Sequence, residues 1–116
     1  MKVLIILNDP PYGTERSYNG LRLAKGLLKT NPAIDLTVFL MADAVTCAKR
    51  GQKTPSGFYN IELMLKPAIR NGRVLICGTC MDTRGLTDNE VLEGAQRSTM
   101  DELSANVVTA DQVLVF

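Results

Sequence analysis

The 116-residue chain has no histidine and no tryptophan, and only three tyrosines and three phenylalanines. Without histidine the commonest general base and metal ligand is missing, so a Ser/His or Cys/His nucleophile cannot be assembled within one chain. Charge is equally sparse: thirteen Lys and Arg face twelve Asp and Glu, a formal net charge of +1, with no block of like charge. Attraction to nucleic acid or to an anionic membrane therefore has no electrostatic basis, and neither is expected as a partner. Long apolar runs are absent too. The aliphatic start at Met1–Leu7 breaks at Asn8-Asp9-Pro10-Pro11, too early for a signal peptide, and no other run approaches bilayer-crossing length. Three cysteines, an odd number, do not make a disulfide framework. The expectation is a cytoplasmic protein with reduced thiols. Neither GxGxxG nor a Walker pattern follows the first strand, so no nucleotide cofactor is expected. A structural zinc site needs four ligands, and one CxxC without histidine does not supply them; no metal is expected either.

What the chain does have is 46% hydrophobic residues against 22% charged, the balance of a compact fold, at the length of one domain spanning 1–116. Val3–Leu7 is a continuous aliphatic run, as in a strand buried on both faces of a parallel sheet, and Leu36–Met41 and Val74–Cys77 repeat the strand pattern. Gln112–Phe116 reads as a last strand, and Ala95–Arg97 as a weakly signalled edge strand. Helical spacing runs from Tyr18 to Leu28, with Thr14 or Ser17 as caps and Asn31-Pro32 as a stop. Asp43 is expected to cap a short helix over Ala44–Arg50, and Asn60 a helix over Ile61–Asn71 that Pro67 should kink. Thr87 with Glu90 and Thr99 with Glu102 each form a capping box, predicting helices that begin at Asp88 and before Leu103. Strands alternating with helices imply right-handed crossovers and a mostly parallel α/β sheet covered on both faces.

In such sheets ligands sit beyond the carboxyl ends of the strands, which here means Asn8–Gly13, Met41–Asp43 and Cys77–Gly85. The strongest chemical signal there is Cys77-Gly78-Thr79-Cys80, because CxxC thiols can ionise below the ordinary thiol range. Arg84, expected in the same loop, could favour the thiolate of Cys77 or hold an anionic sulfur adduct. Asn8, Tyr12 and Asp43 come from neighbouring strand ends and are the expected pocket residues. Cys47, beside Ala48 on a short helix, reads as an inert packed thiol. The bland alternative is that Cys77 and Cys80 are also small hydrophobes closing a strand end.

The residues resemble the DsrE/DsrF-like family, and within it the YchN-like branch. The resemblance runs through Asn8, Pro11-Tyr12-Gly13, Leu21-Arg22-Leu23-Ala24, Leu40–Val45, Arg50–Lys53, Tyr59-Asn60-Ile61, Cys77–Gly85 and Ala110–Leu114. It implies a flavodoxin-like three-layer α/β/α sandwich of about five strands, assembled as a trimer or as trimers stacked into a hexamer, for which Phe58 and Tyr59 are expected interface anchors. It also implies sulfur relay: in better characterised relatives a cysteine before an Arg-Gly pair carries a persulfide, and counting back from Arg84-Gly85 that position is Cys77. Two departures are visible, Thr83 where the relay proteins carry a second arginine, and Cys80, which is additional. The expected function is a persulfide carrier that exchanges sulfur with a donor or acceptor protein. Its rivals are a thiol-disulfide oxidoreductase cycling Cys77 and Cys80, and a non-catalytic oligomer in which the cysteines pack.

Overall fold

The aliphatic runs become the centre of one sheet. The computed structural model describes all residues from Met1 to Phe116. The strands are β1 (Lys2–Leu7), β2 (Asp35–Leu40), β3 (Arg73–Cys77), β4 (Ala95–Ser98) and β5 (Gln112–Val115). The helices are α1 (Arg16–Thr30), α2 (Ile61–Asn71), α3 (Gly78–Thr83) and α4 (Met100–Thr109). The spatial order is β4-β3-β2-β1-β5, and every neighbouring pair is parallel. β1, β2 and β3 are apolar and buried almost throughout because they are flanked by strands and covered on both faces. β4 and β5 are edges with exposed residues, which is why Ala95–Ser98 carries so little strand signal.

Right-handed crossovers fix the layers. β1 to β2 to β3 step in one direction, so α1 and α2 pack together on one face; the return from β4 to β5 puts α4 on the other. Arg73 links that second layer to the sheet, its Nη2 donating to Thr37 Oγ1 on β2 at 2.9 Å and to Asn106 Oδ1 on α4 at 3.0 Å. No helix is long and apolar enough to cross a membrane.

Helix starts follow the sequence in part. Asn60 and Thr99 cap α2 and α4, accepting from the N–H groups of Leu63 and Glu102. α2 continues through Pro67 to Asn71. α1 is not capped by Thr14 or Ser17: its N-cap is Glu15, and both hydroxyls instead donate to Asp9, Thr14 to Oδ2 and buried Ser17 to the carbonyl. The capping box at Thr87 and Glu90 forms, but the helix it announces is only a 3₁₀ turn, Asp88–Glu90. A bridge between Val91 and Lys49, and the Leu92 N–H bound to the Ala48 carbonyl, draw the chain away.

Candidate functional site

Because all strands run the same way, the residues following β1, β2 and β3 emerge at one sheet edge, placing Asn8, Asp43 and Cys77 there together. β3 passes into α3 without an intervening loop, a departure from the loop expected over Cys77–Gly85. The cause is Cys77 itself, whose sulfur acts as the capping acceptor of α3, taking the Cys80 N–H at 3.4 Å; Thr79 Oγ1 lies 3.3 Å from the same sulfur. Serine, threonine and aspartate usually fill this role, so a cysteine cap was not legible as a helix start.

α3 is clamped from β4. Arg97 Nη2 bonds both carboxylate oxygens of Asp82 at 2.7 Å, and its Nη1 lies 3.5 Å from Asp88. Its guanidinium lies against Gly78, where an added Cβ would fall 2.9 Å from Nε and 3.1 Å from the Ser98 carbonyl oxygen. A side chain next to Cys77 would therefore have to displace the Arg97 guanidinium. Arg97 and Gly78 were not singled out in the sequence, since nothing local joins residues on different elements.

Cys80, half-buried where Cys77 is 4% exposed, faces the turn after β2. Its sulfur accepts the Ala42 N–H at 3.3 Å. Ala42 has φ +52°, the left-handed region that residues other than glycine rarely adopt. A 3₁₀ helix, Ala42–Ala48, starts here with Met41 as its N-cap and no side-chain cap bond. Asp43 is therefore not a cap. Its carboxylate is taken by Arg84, with Nε and Nη2 both 2.9 Å from Oδ1. Arg84 Nη1 also donates to the Cys80 carbonyl at 3.1 Å.

Burial raises the Cys77 thiol, but hydrogen bonds from the Cys80 and Thr79 side chains and backbone outweigh it and hold Cys77 below the ordinary thiol value. Burial and the hydrogen bond to Cys77 raise Cys80, with the Ala42 N–H and the Arg84 charge pulling the other way. Each thiol shifts the other, so the two titrate as a pair. Arg84 acts on Cys80, not on Cys77 as the sequence suggested.

The other expected pocket residues are engaged elsewhere. Asn8 Nδ2 donates to the Phe116 carbonyl at 3.1 Å, on the β5 side of β1 and away from β3. The Tyr12 hydroxyl donates to Gln52 Oε1 at 2.6 Å and accepts the Ile61 N–H at 3.1 Å, while its ring stacks on Tyr59. Tyr59 also meets Tyr18, at a centroid distance of 4.3 Å, and Phe58 beside it is 70% exposed. Cys47 is fully buried and pushed up to about 12, chiefly by burial. Neither Cys77 nor Cys80 lines any of the three surface cavities, and no cluster of three or more His, Cys, Asp or Glu side chains is placed to hold a metal.

A model of the DsrE/DsrF-like family matches residues 1–116. The protein YchN of Escherichia coli is 42% identical over 99% of this chain and 98% of its own. An uncharacterized protein of Methanocaldococcus jannaschii is 39% identical over the full length of both chains. The crystal structure of E. coli YchN superposes with a TM-score of 0.93, covering 99% of this chain and 98% of that one. A protein of unknown function from Methanobacterium thermoautotrophicum, 13% identical with 99% and 97% covered, gives 0.78 and shares the fold.

Proposed function

The chain belongs to the DsrE/DsrF-like family, and from that premise we propose that it carries sulfane sulfur as a persulfide on Cys77, with Cys80 as the second thiol of the exchange. The observation that carries this reading is the setting of Cys77 at the end of a buried strand, where its sulfur accepts the Cys80 N–H at 3.4 Å and its thiol is held below the ordinary range while Cys80 is held above it. A thiolate is the species that attacks sulfur. Against a donor persulfide R–S–SH the net exchange is Cys77–SH + R–S–SH → Cys77–S–SH + R–SH: one S–S bond forms, one breaks, and no oxidant is consumed. The donor and acceptor are thiol-bearing partners, the protein works in the cytoplasm, and it assembles as a trimer or hexamer, as the family resemblance implies.

The test is intact mass after exposure to inorganic polysulfide, with and without reductant. Wild type should gain one sulfur atom that reductant removes. Cys77→Ser should lose the retained sulfur, while Cys80→Ser should keep it with an altered lifetime. A wild-type protein that gains nothing, with thiols no faster than free cysteine, would return both cysteines to packing.

The two free thiols three residues apart on α3 and its cap also support a second reading, a dithiol-disulfide cycle. That cycle fails when either cysteine is replaced, whereas the carrier tolerates loss of Cys80.

A further inference from the structure

Of the two thiols the outer one is Cys80, and its surroundings differ in kind from those of Cys77. The polar groups found around Cys77 sulfur belong to its own helix, the Cys80 N–H that donates to it and the Thr79 hydroxyl 3.3 Å away. Cys80 sulfur receives a donor from another element, the Ala42 N–H, aimed by a backbone at φ +52°. Strain of this kind persists only where the surroundings over-determine it, and it gathers at functional sites. Here Met41 N–H is fixed to the Leu7 carbonyl at 3.0 Å, Ala44 N–H to the Met41 carbonyl at 3.0 Å, and Asp43 to Arg84. Arg84 then returns to the Cys80 carbonyl. The turn after β2 is thus braced on both sides of the one N–H that faces Cys80.

We propose that Cys80 is the position at which sulfur enters and leaves this protein, that the Ala42 N–H holds the negatively charged sulfur there, and that Cys77 is the inner position to which sulfur is passed. This rests on the persulfide reading above. Cys80 loses its proton to water and attacks the outer sulfur of a donor persulfide R–S–SH. The Cys80–S bond forms, the R–S bond breaks, and R–S⁻ leaves with the electron pair and takes up a proton from water. The Cys77 thiolate then attacks the same outer sulfur. A Cys77–S bond forms, the bond to Cys80 breaks, and its electron pair returns to Cys80 sulfur against the Ala42 N–H. Each step exchanges one S–S bond for another, so neither oxidant nor reductant is required.

The experiment mixes the protein with glutathione persulfide, quenches with an alkylating agent from milliseconds to minutes, and locates the added sulfur by fragment-ion mass. In wild type the sulfur should be found first on Cys80 and later on Cys77. Cys77→Ser should show the first phase without the second. Cys80→Ser should load Cys77 from this bulky donor slower by about tenfold or more, while inorganic polysulfide still reaches Cys77. Replacing the Ala42 amide by an ester, which deletes the N–H and keeps the side chain, should slow the first phase. Sulfur found first on Cys77, or Cys80→Ser loading at the wild-type rate, overturns the proposal and leaves the carrier reading standing. No uptake at either cysteine of wild type overturns both.

Discussion

Arg84 Nε and Asp43 Oδ1 lie 2.9 Å apart, although 41 residues separate them in the chain. The contact joins the end of α3 to the turn that presents Ala42 to Cys80, so the ion pair bears on a thiol as well as on the fold. Both side chains are partly exposed, and breaking the pair should cost no more than about 1 kcal/mol of stability. The chemical effect should be easier to see. Arg84→Met removes a charge that lowers Cys80, so Cys80 should ionise at higher pH and alkylate more slowly, with Cys77 little affected. Asp43→Asn leaves the guanidinium uncompensated and should accelerate Cys80. Identical alkylation rates in the two variants would separate the ion pair from the thiol.

The thiol pair should titrate in two steps, the first below the ordinary cysteine value of 9.0 and the second above it. Thiolate absorbance against pH reads both. Cys80→Ser keeps a hydroxyl donor near Cys77 and should leave one early step; Cys77→Ser removes the raising partner of Cys80 and should leave one step lower than the second step of wild type. Because Cys77 is depressed in the folded state, its contribution to stability is present above the unfolded thiol value and is lost as pH falls through the folded one.

Cys47 works in the opposite direction. Its folded value, pushed up to about 12 by burial, lies above the unfolded one, so the stability it supplies is complete below pH 9 and is lost as pH rises towards 12. Three units correspond to about 4 kcal/mol at the top of that window. Urea melts from neutral to alkaline pH should show Cys47→Ala less stable than wild type at neutrality, the gap shrinking as pH rises. A gap independent of pH would show that the buried thiol is not what limits alkaline stability.

Tyr12→Phe isolates the hydroxyl that ties the segment between the 3₁₀ helix and α2. It leaves the Ile61 N–H and Gln52 Oε1 without their partner, a loss of about 1–2 kcal/mol in chemical denaturation. The aromatic stack on Tyr59 should survive, so Tyr12→Ala should cost clearly more than Tyr12→Phe.

The central strands were legible because burial on both faces forces mostly apolar runs at Val3–Leu7, Leu36–Met41 and Val74–Cys77. Asn60 and Thr99 were legible as caps because their bonds are local. The misreadings arose where a distant partner took a group that local rules had assigned. Asp43 fits a cap by position, but Arg84 takes it; Thr14 and Ser17 fit caps, but Asp9 takes their hydroxyls. Within the candidate site, CxxC after a buried strand announces two thiols at a sheet edge. That Ala42 faces one of them, and that Arg97 braces the glycine between them, depends on strand order and has no trace in spacing.

The strand order also sets a schedule for the growing chain. β2, β3 and β4 each join the edge left by the strand before, so three pairings can form in the order of synthesis. The other edge of β1 waits for β5, whose register sets Val3 opposite Gln112 and Ile6 opposite Val115. Until residues 112–115 have left the ribosome, Val3–Ile6 present unpaired N–H and carbonyl groups on an apolar strand, the kind of edge that recruits other chains. The last few residues therefore act as an intramolecular cover for the first, and a chain interrupted before residue 112 should aggregate through its own amino-terminal strand.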